Sequence, residues 1–436
     1  MKRNLLLLVL ITLFTFVSVG ASAQQITLRY FMWDPQFQHL EADLIKEFEQ
    51  ENPGIKVEMT ALDPENFWTR LSAMAAAGAL PDVFSMSTGY NDNWAKDGLL
   101  MDIQELVDRD LDKDDYFFEV FSETRYPNKE TSNMYAIPYA WVTPVLFYNK
   151  DMFDRAGVAY PTDDWTWDDF RDAAQKLTIQ SNPNRPPEQY GFWWYGRYTH
   201  IEPWIYANGG RILNDQKTRI QFDDKAREAL QFLADLTNVY GVSPAHRDVA
   251  GLRQQDLFPL QQTAMWVDGS FMIANTREMA GDSFRWGIAK VPQGPSATPE
   301  DVRTYFWPDS VAIAATTKHK EAAWEFVKFL IGKNRPIESF MAGKVPIYRA
   351  NAGTEAWLQA DQQPGNMEII LENGQQRGRT SFTMGWGEWR GYAATGGAGM
   401  NGEIDKVTNG DQTVNEAIAA ITKYGNTVLE RYYPEP

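Results

Sequence analysis

The chain has 436 residues, 44% of them hydrophobic, and carries 41 Lys and Arg against 58 Asp and Glu for a formal charge of −17, with no cysteine. Such acidity argues against nucleic acid and anionic lipid heads as partners, since both need basic surface. The lack of cysteine excludes disulfides, thiolate chemistry and a lipid-anchored cysteine.

Lys2 and Arg3 precede an apolar run from Leu5 to Val19, and Ala21-Ser22-Ala23 supplies a small-residue cleavage pattern. The expectation is a signal peptide over residues 1–23, cleaved after Ala23, and an exported, soluble chain beginning at Gln24. The alternative, an uncleaved anchor, needs ~20 apolar residues, and this run is short for that. The leader holds two basic residues and no acidic one, so its loss takes the charge from −17 to −19. Roughly 410 residues then remain, more than one core usually serves, which favours two lobes.

Ile26–Phe31 reads as a strand, followed by a polar turn at Asp34-Pro35. Leu40, Leu44, Ile45 and Phe48 mark one helical face, stopped by Pro53-Gly54. Ile55, Val57 and Met59 alternate as a strand should, and a helix runs through Phe67, Leu71 and Met74 to Gly78. Leu80–Phe84 begins the next strand. Alternating strands and helices predict an α/β lobe with a largely parallel sheet. In Tyr135–Gly157 an apolar run is interrupted by Pro138 and Pro144. Val145–Tyr148 then forms a strand, Asn149-Lys150-Asp151 turns, and Met152-Phe153 with Ala156-Gly157 make a short capped helical turn. That punctuation suits a passage from one lobe into another.

Thr166 and Asp169 predict a capping box before Trp167, Phe170, Ala174 and Leu177. A longer helix starts near Asp223 and buries Ala226, Leu230, Leu233 and Leu236. Gln262–Val267 reads as a strand ending at Asp268-Gly269-Ser270, and Val311–Ala314 as another. The following helix turns Ala322, Ala323, Phe326, Val327 and Leu330 inward, and the last begins near Thr413. Gly294–Arg303 and Gly385–Gly402 read as irregular.

Segments along the chain resemble the bacterial extracellular solute-binding proteins of the family-1, sugar-binding kind, maltose-binding-protein-like. They are Leu44–Glu58, Gly78–Tyr90, the "YNKDMFDRAG" turn, Tyr206–Leu213, Thr263–Ile273 and His319–Gly332. The resemblance implies an α/β, two-lobe periplasmic-binding-protein fold of type II with hinge crossovers. It also implies a sugar held between the lobes and delivery to a membrane-embedded ABC permease. One lobe is expected over 24–139 plus 311–345 and the other over 140–310 plus 346–436, in a periplasmic monomer without a lipid anchor.

A sugar ring offers an apolar face to aromatic rings and a rim of hydroxyls to polar side chains. Tryptophans in polar company are therefore cleft candidates: Trp33-Asp34, Trp141, Trp193-Trp194 with Trp204, Trp307-Pro308-Asp309, and Trp386 with Glu388 and Trp389. For Trp167, Trp266 and Trp324, on helix or strand periodicity, core is the better reading. The resemblance places ligand contacts at Trp33-Asp34, at Ser87, Thr88 and Tyr90, at Asp268, Gly269, Ser270 and Phe271, and at Trp307–Ser310. The chain departs from many relatives at Trp307-Pro308-Asp309 and at Phe271, which bears on ligand identity. Arg349 suits a hydroxyl or carboxylate, or equally a structural ion pair.

Other chemistry finds little support. Four scattered histidines lack zinc spacing, so no metal and no cofactor are expected. Asp110, Asp112 and Asp114 mimic a calcium loop, but Asp115 and Phe121 replace its glycine and closing glutamate. Gly397–Gly402 fits a dinucleotide fingerprint without the preceding strand. A secreted glycosidase would use a carboxyl pair ~5–9.5 Å apart, drawn from residues such as Asp34, Asp268, Asp309 and Glu388. A receptor for a polyamine, peptide or glycerol phosphoester is the alternative within the same fold.

Overall fold

Two sheets carry the computed structural model, which describes residues 25–434 apart from 128, 250, 299–300, 302–303, 341–342, 375–379 and 393–397. The expected signal peptide lies outside the described residues. The strands are β1 (Ile26–Met32), β2 (Ile55–Ala61), β3 (Val83–Ser87), β4 (Ile137–Val142), β5 (Pro144–Asn149), β6 (Met265–Gly269), β7 (Trp286–Ala289), β8 (Trp307–Ile313) and β9 (Val345–Pro346). The first sheet has the order β2-β1-β3-β8-β4-β9 and the second β6-β5-β7. The α/β expectation holds.

The first sheet is mixed rather than largely parallel. β1 runs parallel to β2 and β3, whereas β8 is antiparallel to both β3 and β4. The reason is topological. β1 and β3 end at the edge facing the other sheet, and β8 enters from that edge, so it must run the opposite way. Residues 140–142 and 307–310 belong to strands of this sheet, so the boundaries expected at 139/140 and 310/311 fall inside β4 and β8.

Local chemistry explains most helices. Asp63, Asn149, Asp223 and Thr354 each accept a backbone N–H from the first turn that follows. Thr166 with Asp169, and Thr413 with Glu416, close capping boxes. Gly157 ends the helix Lys150–Ala156 in the left-handed conformation, φ 64°. Behind the first sheet pack Leu44, Phe48, Phe326, Val327 and Leu330; the second lobe buries Phe170, Leu177, Trp204, Leu230, Leu233 and Ile421. The stretch expected to be irregular after Gly385 contains two helices, Trp386–Arg390 and Met400–Thr408.

Two chain crossings, at Thr143 and at Thr304–Phe306, meet the segment that leads into β9. Thr143, between β4 and β5, donates from Oγ1 to the Tyr305 carbonyl at 2.9 Å and accepts from the Ser270 N–H at 2.8 Å. Ser270 Oγ donates in turn to the Gly343 carbonyl. A side chain is forbidden at Gly343, where a Cβ would sit 2.0 Å from the Ser270 carbonyl oxygen and φ is +83°.

Candidate functional site

The carboxyl ends of β1 and β3 and the amino end of β8 lie side by side, with Ser87 opposite Asp309. Ser87 caps the helix Thr88–Lys96 through a 3.4 Å bond from the Gly89 N–H. Thr88 Oγ1 donates to the Pro308 carbonyl at 3.5 Å. Asp34 and Asp309 converge on Lys344, whose Nζ is 2.6 Å from Asp34 Oδ2 and 2.8 Å from Asp309 Oδ2. Burial works against the Lys344 ammonium, yet the carboxylates of Asp309 and Asp34 hold its pKa well above the ordinary lysine value. Lys344 and Arg335 both approach the Tyr139 ring, at 5.7 and 4.7 Å from its centre, and Arg335 pairs with Glu41.

The second lobe contributes a different charged group. Asp268, near the end of β6, has no exposed surface. Its Oδ1 accepts the Gly269 N–H at 2.7 Å; Oδ2 is 3.3 Å from His200 Nε2 and 3.9 Å from Arg197 Nη1. Burial alone would raise the Asp268 pKa, but Arg197 and His200 bring it down to about 2. His200 is pushed below the ordinary histidine value by burial, against the pull of Asp268, so it is neutral at pH 7. The Arg197 guanidinium lies 5.6 Å over the Phe271 ring. His200 Nδ1, Thr199 Oγ1 and the indole nitrogens of Trp193 and Trp266 are buried without an aligned hydrogen bond. Such concentration of orphaned polar atoms is unusual in a packed interior.

Aromatic rings join the two halves. Tyr198 lies 5.5 Å from Trp307 and 5.3 Å from Trp386, and Trp386 stacks on Tyr392 at 5.1 Å. Phe271 is 6.2 Å from Trp307. On the first lobe Trp68 stacks on Tyr90 at 4.1 Å and meets Trp33 at 5.9 Å. Gly89 leaves the room Trp386 takes, for a Cβ there would come within 2.6 Å of the indole. Asn93 fastens the same contact, accepting from the Gly385 N–H at 2.9 Å and donating to Tyr432 OH at 3.1 Å. Flat apolar faces beside charged, hydrogen-bonding groups from both lobes suit a ligand with apolar faces and a polar rim.

Residues 35–334 match the family described as bacterial extracellular solute-binding protein. The chain belongs to that family.

A putative binding protein of Brucella abortus is 28% identical over 296 residues, 66% of this chain and 67% of that protein. The arabinooligosaccharide-binding protein of Bacillus subtilis is 26% identical over 266 residues, 56% of each chain. Among solved structures, an ABC substrate-binding protein of Listeria monocytogenes in complex with cycloalternan superposes with a TM-score of 0.78 at 25% identity, covering 94% of this chain and 100% of that one. The two-lobe type II architecture implied by the resemblance is therefore the fold of this solute-binding protein.

Within it, Asp34 and Asp309 meet at Lys344, Ser87 and Thr88 lie beside Asp309 and Pro308, Trp33 and Tyr90 both flank Trp68, Asp268 and Phe271 face Arg197, Ser270 bonds Thr143, and Trp307 and Trp386 flank Tyr198. Of the others, Trp194 and Trp204 are fully buried among second-lobe rings, and the Trp194 indole N–H is spent on Thr237 at 3.0 Å; Trp193, also buried, stacks on Tyr195 beside His200. Trp389 is likewise internal, donating to Thr383 at 2.9 Å. Trp141, on β4, packs between Phe117, Phe306 and Gly374. Glu388 pairs with Arg431 at 2.6 Å. Arg349 donates to the Tyr116 carbonyl at 2.6 Å and to Glu119 at 3.0 Å, an ion pair within the first lobe.

Reading by tryptophan overlooked Arg197, Tyr198, His200, Lys344 and Tyr392. The run Trp193–His200 carried a usable signal, since it interleaves aromatic rings with one arginine and one histidine. Lys344, one lysine among many, carried none. The calcium-like acids are consumed locally: Asp110 accepts from Arg109 and the Trp324 indole, and Asp112 caps its own turn. Among the described residues no group of three or more His, Cys, Asp or Glu is placed to hold a metal. A cavity of about 750 Å³ lies elsewhere in the second lobe, lined by Trp165, Trp167, Phe232 and Tyr240 with several acids, and includes none of the junction residues.

Proposed function

We propose that this chain is the periplasmic solute-binding component of an ABC importer and takes a neutral sugar or oligosaccharide between its lobes. In this reading residues 1–23 are the leader, the two lobes have their crossings at Thr143 and Thr304–Phe306 instead of the expected 139/140 and 310/311, and a membrane permease receives the ligand. The chain works as a monomer. The observation that carries the reading is the charge state of the junction. Every carboxylate there already faces a cation, though not one each: Asp34 and Asp309 share a single ammonium, Lys344, and Asp268 faces Arg197. What remains available is lone pairs, N–H groups and ring faces, the complement of a polyol.

The rivals fit less well. A polyamine needs unpaired carboxylates, and a glycerol phosphoester needs a spare cation such as Arg349, which is engaged with Tyr116 and Glu119. A glycosidase needs one carboxyl group free to carry a proton; burial does push the Asp309 carboxyl up, but its Oδ2 is held 2.8 Å from the Lys344 ammonium. A thermal-shift panel of neutral mono- and oligosaccharides, sugar phosphates and polyamines tests the reading, with product analysis on the same samples. A neutral saccharide should stabilise by RT ln(1 + [L]/Kd), about 2.7 kcal/mol at a hundredfold excess over Kd, and be recovered intact. Stabilisation by charged solutes alone, or release of shorter sugars, would overturn it.

A further inference from the structure

Asp34 and Asp309 come from different strands, yet both place an oxygen within 2.8 Å of one buried ammonium. Two carboxylates brought that close demand a cation between them, because their mutual repulsion in a partly desolvated place otherwise forces one to take up a proton. We propose that Lys344 is a specificity-determining residue: an internal counter-ion that stands where the ammonium of a cationic ligand would go, and so reserves this side of the junction for neutral polyhydroxylated ligands. The proposal rests on the reading of Asp34 and Asp309 as ligand contacts.

The surroundings favour this role over a plain surface ion pair. Lys344 is 5% exposed, whereas the Asp34 and Asp309 side chains keep 18% and 16%. The lysine is therefore behind the carboxylates and the carboxylates are the part a solute meets. An ionised carboxylate offers about four acceptor positions, so each keeps lone pairs for hydroxyl donors after Lys344 is served. The lysine backbone is pinned on both sides. The Gly343 carbonyl accepts from Ser270, and the Lys344 carbonyl accepts the Trp357 indole N–H at 2.8 Å. An ammonium on a fixed backbone and a buried side chain is tethered already, whereas a free amine must also lose its translational freedom. Three acids (Asp34, Asp309, Glu41) face two bases (Lys344, Arg335), a local sum of −1, which also disfavours phosphoesters.

The test uses Lys344→Met, the conservative Lys344→Arg, and the charge-free triple variant Asp34→Asn, Lys344→Met, Asp309→Asn, each titrated with cadaverine (1,5-diaminopentane) by thermal shift. Lys344→Met should gain saturable stabilisation, about 2 °C or more, that weakens as salt is raised. The wild type, Lys344→Arg and the triple variant should show none. A Lys344→Met protein that folds only with cadaverine present supports the proposal equally. A folded Lys344→Met protein indifferent to cadaverine overturns it, as does a wild type that responds as strongly. Failure of Lys344→Met to fold at any cadaverine concentration also overturns it, whether or not the triple variant folds, for the lysine then serves the fold rather than selection. The saccharide panel on wild type separates the two readings. If no sugar stabilises it while Lys344→Met gains cadaverine, sugar binding fails and the role of Lys344 stands. If a sugar stabilises it while Lys344→Met ignores cadaverine, sugar binding stands and the role of Lys344 fails.

Discussion

Asp268 keeps its charge without touching solvent because Arg197 and His200 stand on its free oxygen. Its pKa falls from 3.8 to about 2 on folding. A lowered carboxylate pKa contributes stability that is present above the unfolded value and lost as pH falls through the folded one. The contribution, about 2 kcal/mol, should therefore disappear between pH 3.8 and about 2. His200 acts in the same direction: its folded pKa lies below 6.5, so its share is present above 6.5 and lost as pH falls through the lower folded value. Urea unfolding of Asp268→Asn across pH 2–7 should show a protein weaker by about 2 kcal/mol at neutrality, with the gap from wild type closing in acid. A pH-independent difference would count against this account of the charge. At this scale the sequence was only partly legible. Tryptophan frequency pointed to stacking surfaces, but Trp194 and Trp204 look the same in sequence as Trp307; all three are buried, and only their partners tell them apart, Phe170, Phe192 and Thr237 around the first two and Tyr198 and Phe271 beside Trp307.

At the scale of elements, capped helices were readable because their signals are local. Thr166 with Asp169 sets a helix start within four residues, and the structure has it. Strands containing proline were not. Pro138 and Pro308 sit inside β4 and β8, where proline removes a ladder donor, and the pairing absorbs one of them by a register shift between Pro138 and Ala140. Reading proline as punctuation therefore hid β4 and the first half of β8, which are the strands that reach the junction. The helix Thr88–Lys96 supplies the prediction here. Gly89→Ala would put a methyl group 2.6 Å from the Trp386 indole, too close to survive without the second-lobe helix Trp386–Arg390 backing away. Overpacking of that kind costs about 1–3 kcal/mol. If the contact belongs to the ligand-bound arrangement, affinity for whichever saccharide the panel yields should fall by roughly tenfold or more. Calorimetry giving an unchanged Kd would show the contact to be irrelevant to binding.

For the molecule as a whole, Ser270 ties the crossing at Thr143 to Gly343, Thr143 Oγ1 bonds the Tyr305 carbonyl of the other crossing, and Lys344 follows Gly343 directly in the chain. If the lobes close on a ligand as the proposed function holds, the angle between them changes at these crossings, beside the Lys344 that Asp34 and Asp309 share. A ligand moves such an equilibrium only by as much as it prefers one arrangement. Ser270→Ala removes the hydroxyl that accepts from the Thr143 N–H at 3.3 Å and donates to Gly343. With one tie lost, the unliganded protein should sample wider lobe angles, seen as a larger radius of gyration by solution scattering than the roughly 22 Å of a compact chain this long. Saturating saccharide should bring the variant back to the wild-type liganded value, because contacts from both lobes then fix the angle that the hydroxyl no longer fixes. Scattering curves for Ser270→Ala that match wild type both with and without ligand would mean the crossings are held by their other bonds, Thr143 to Tyr305 foremost, and that Ser270 has no part in setting the angle.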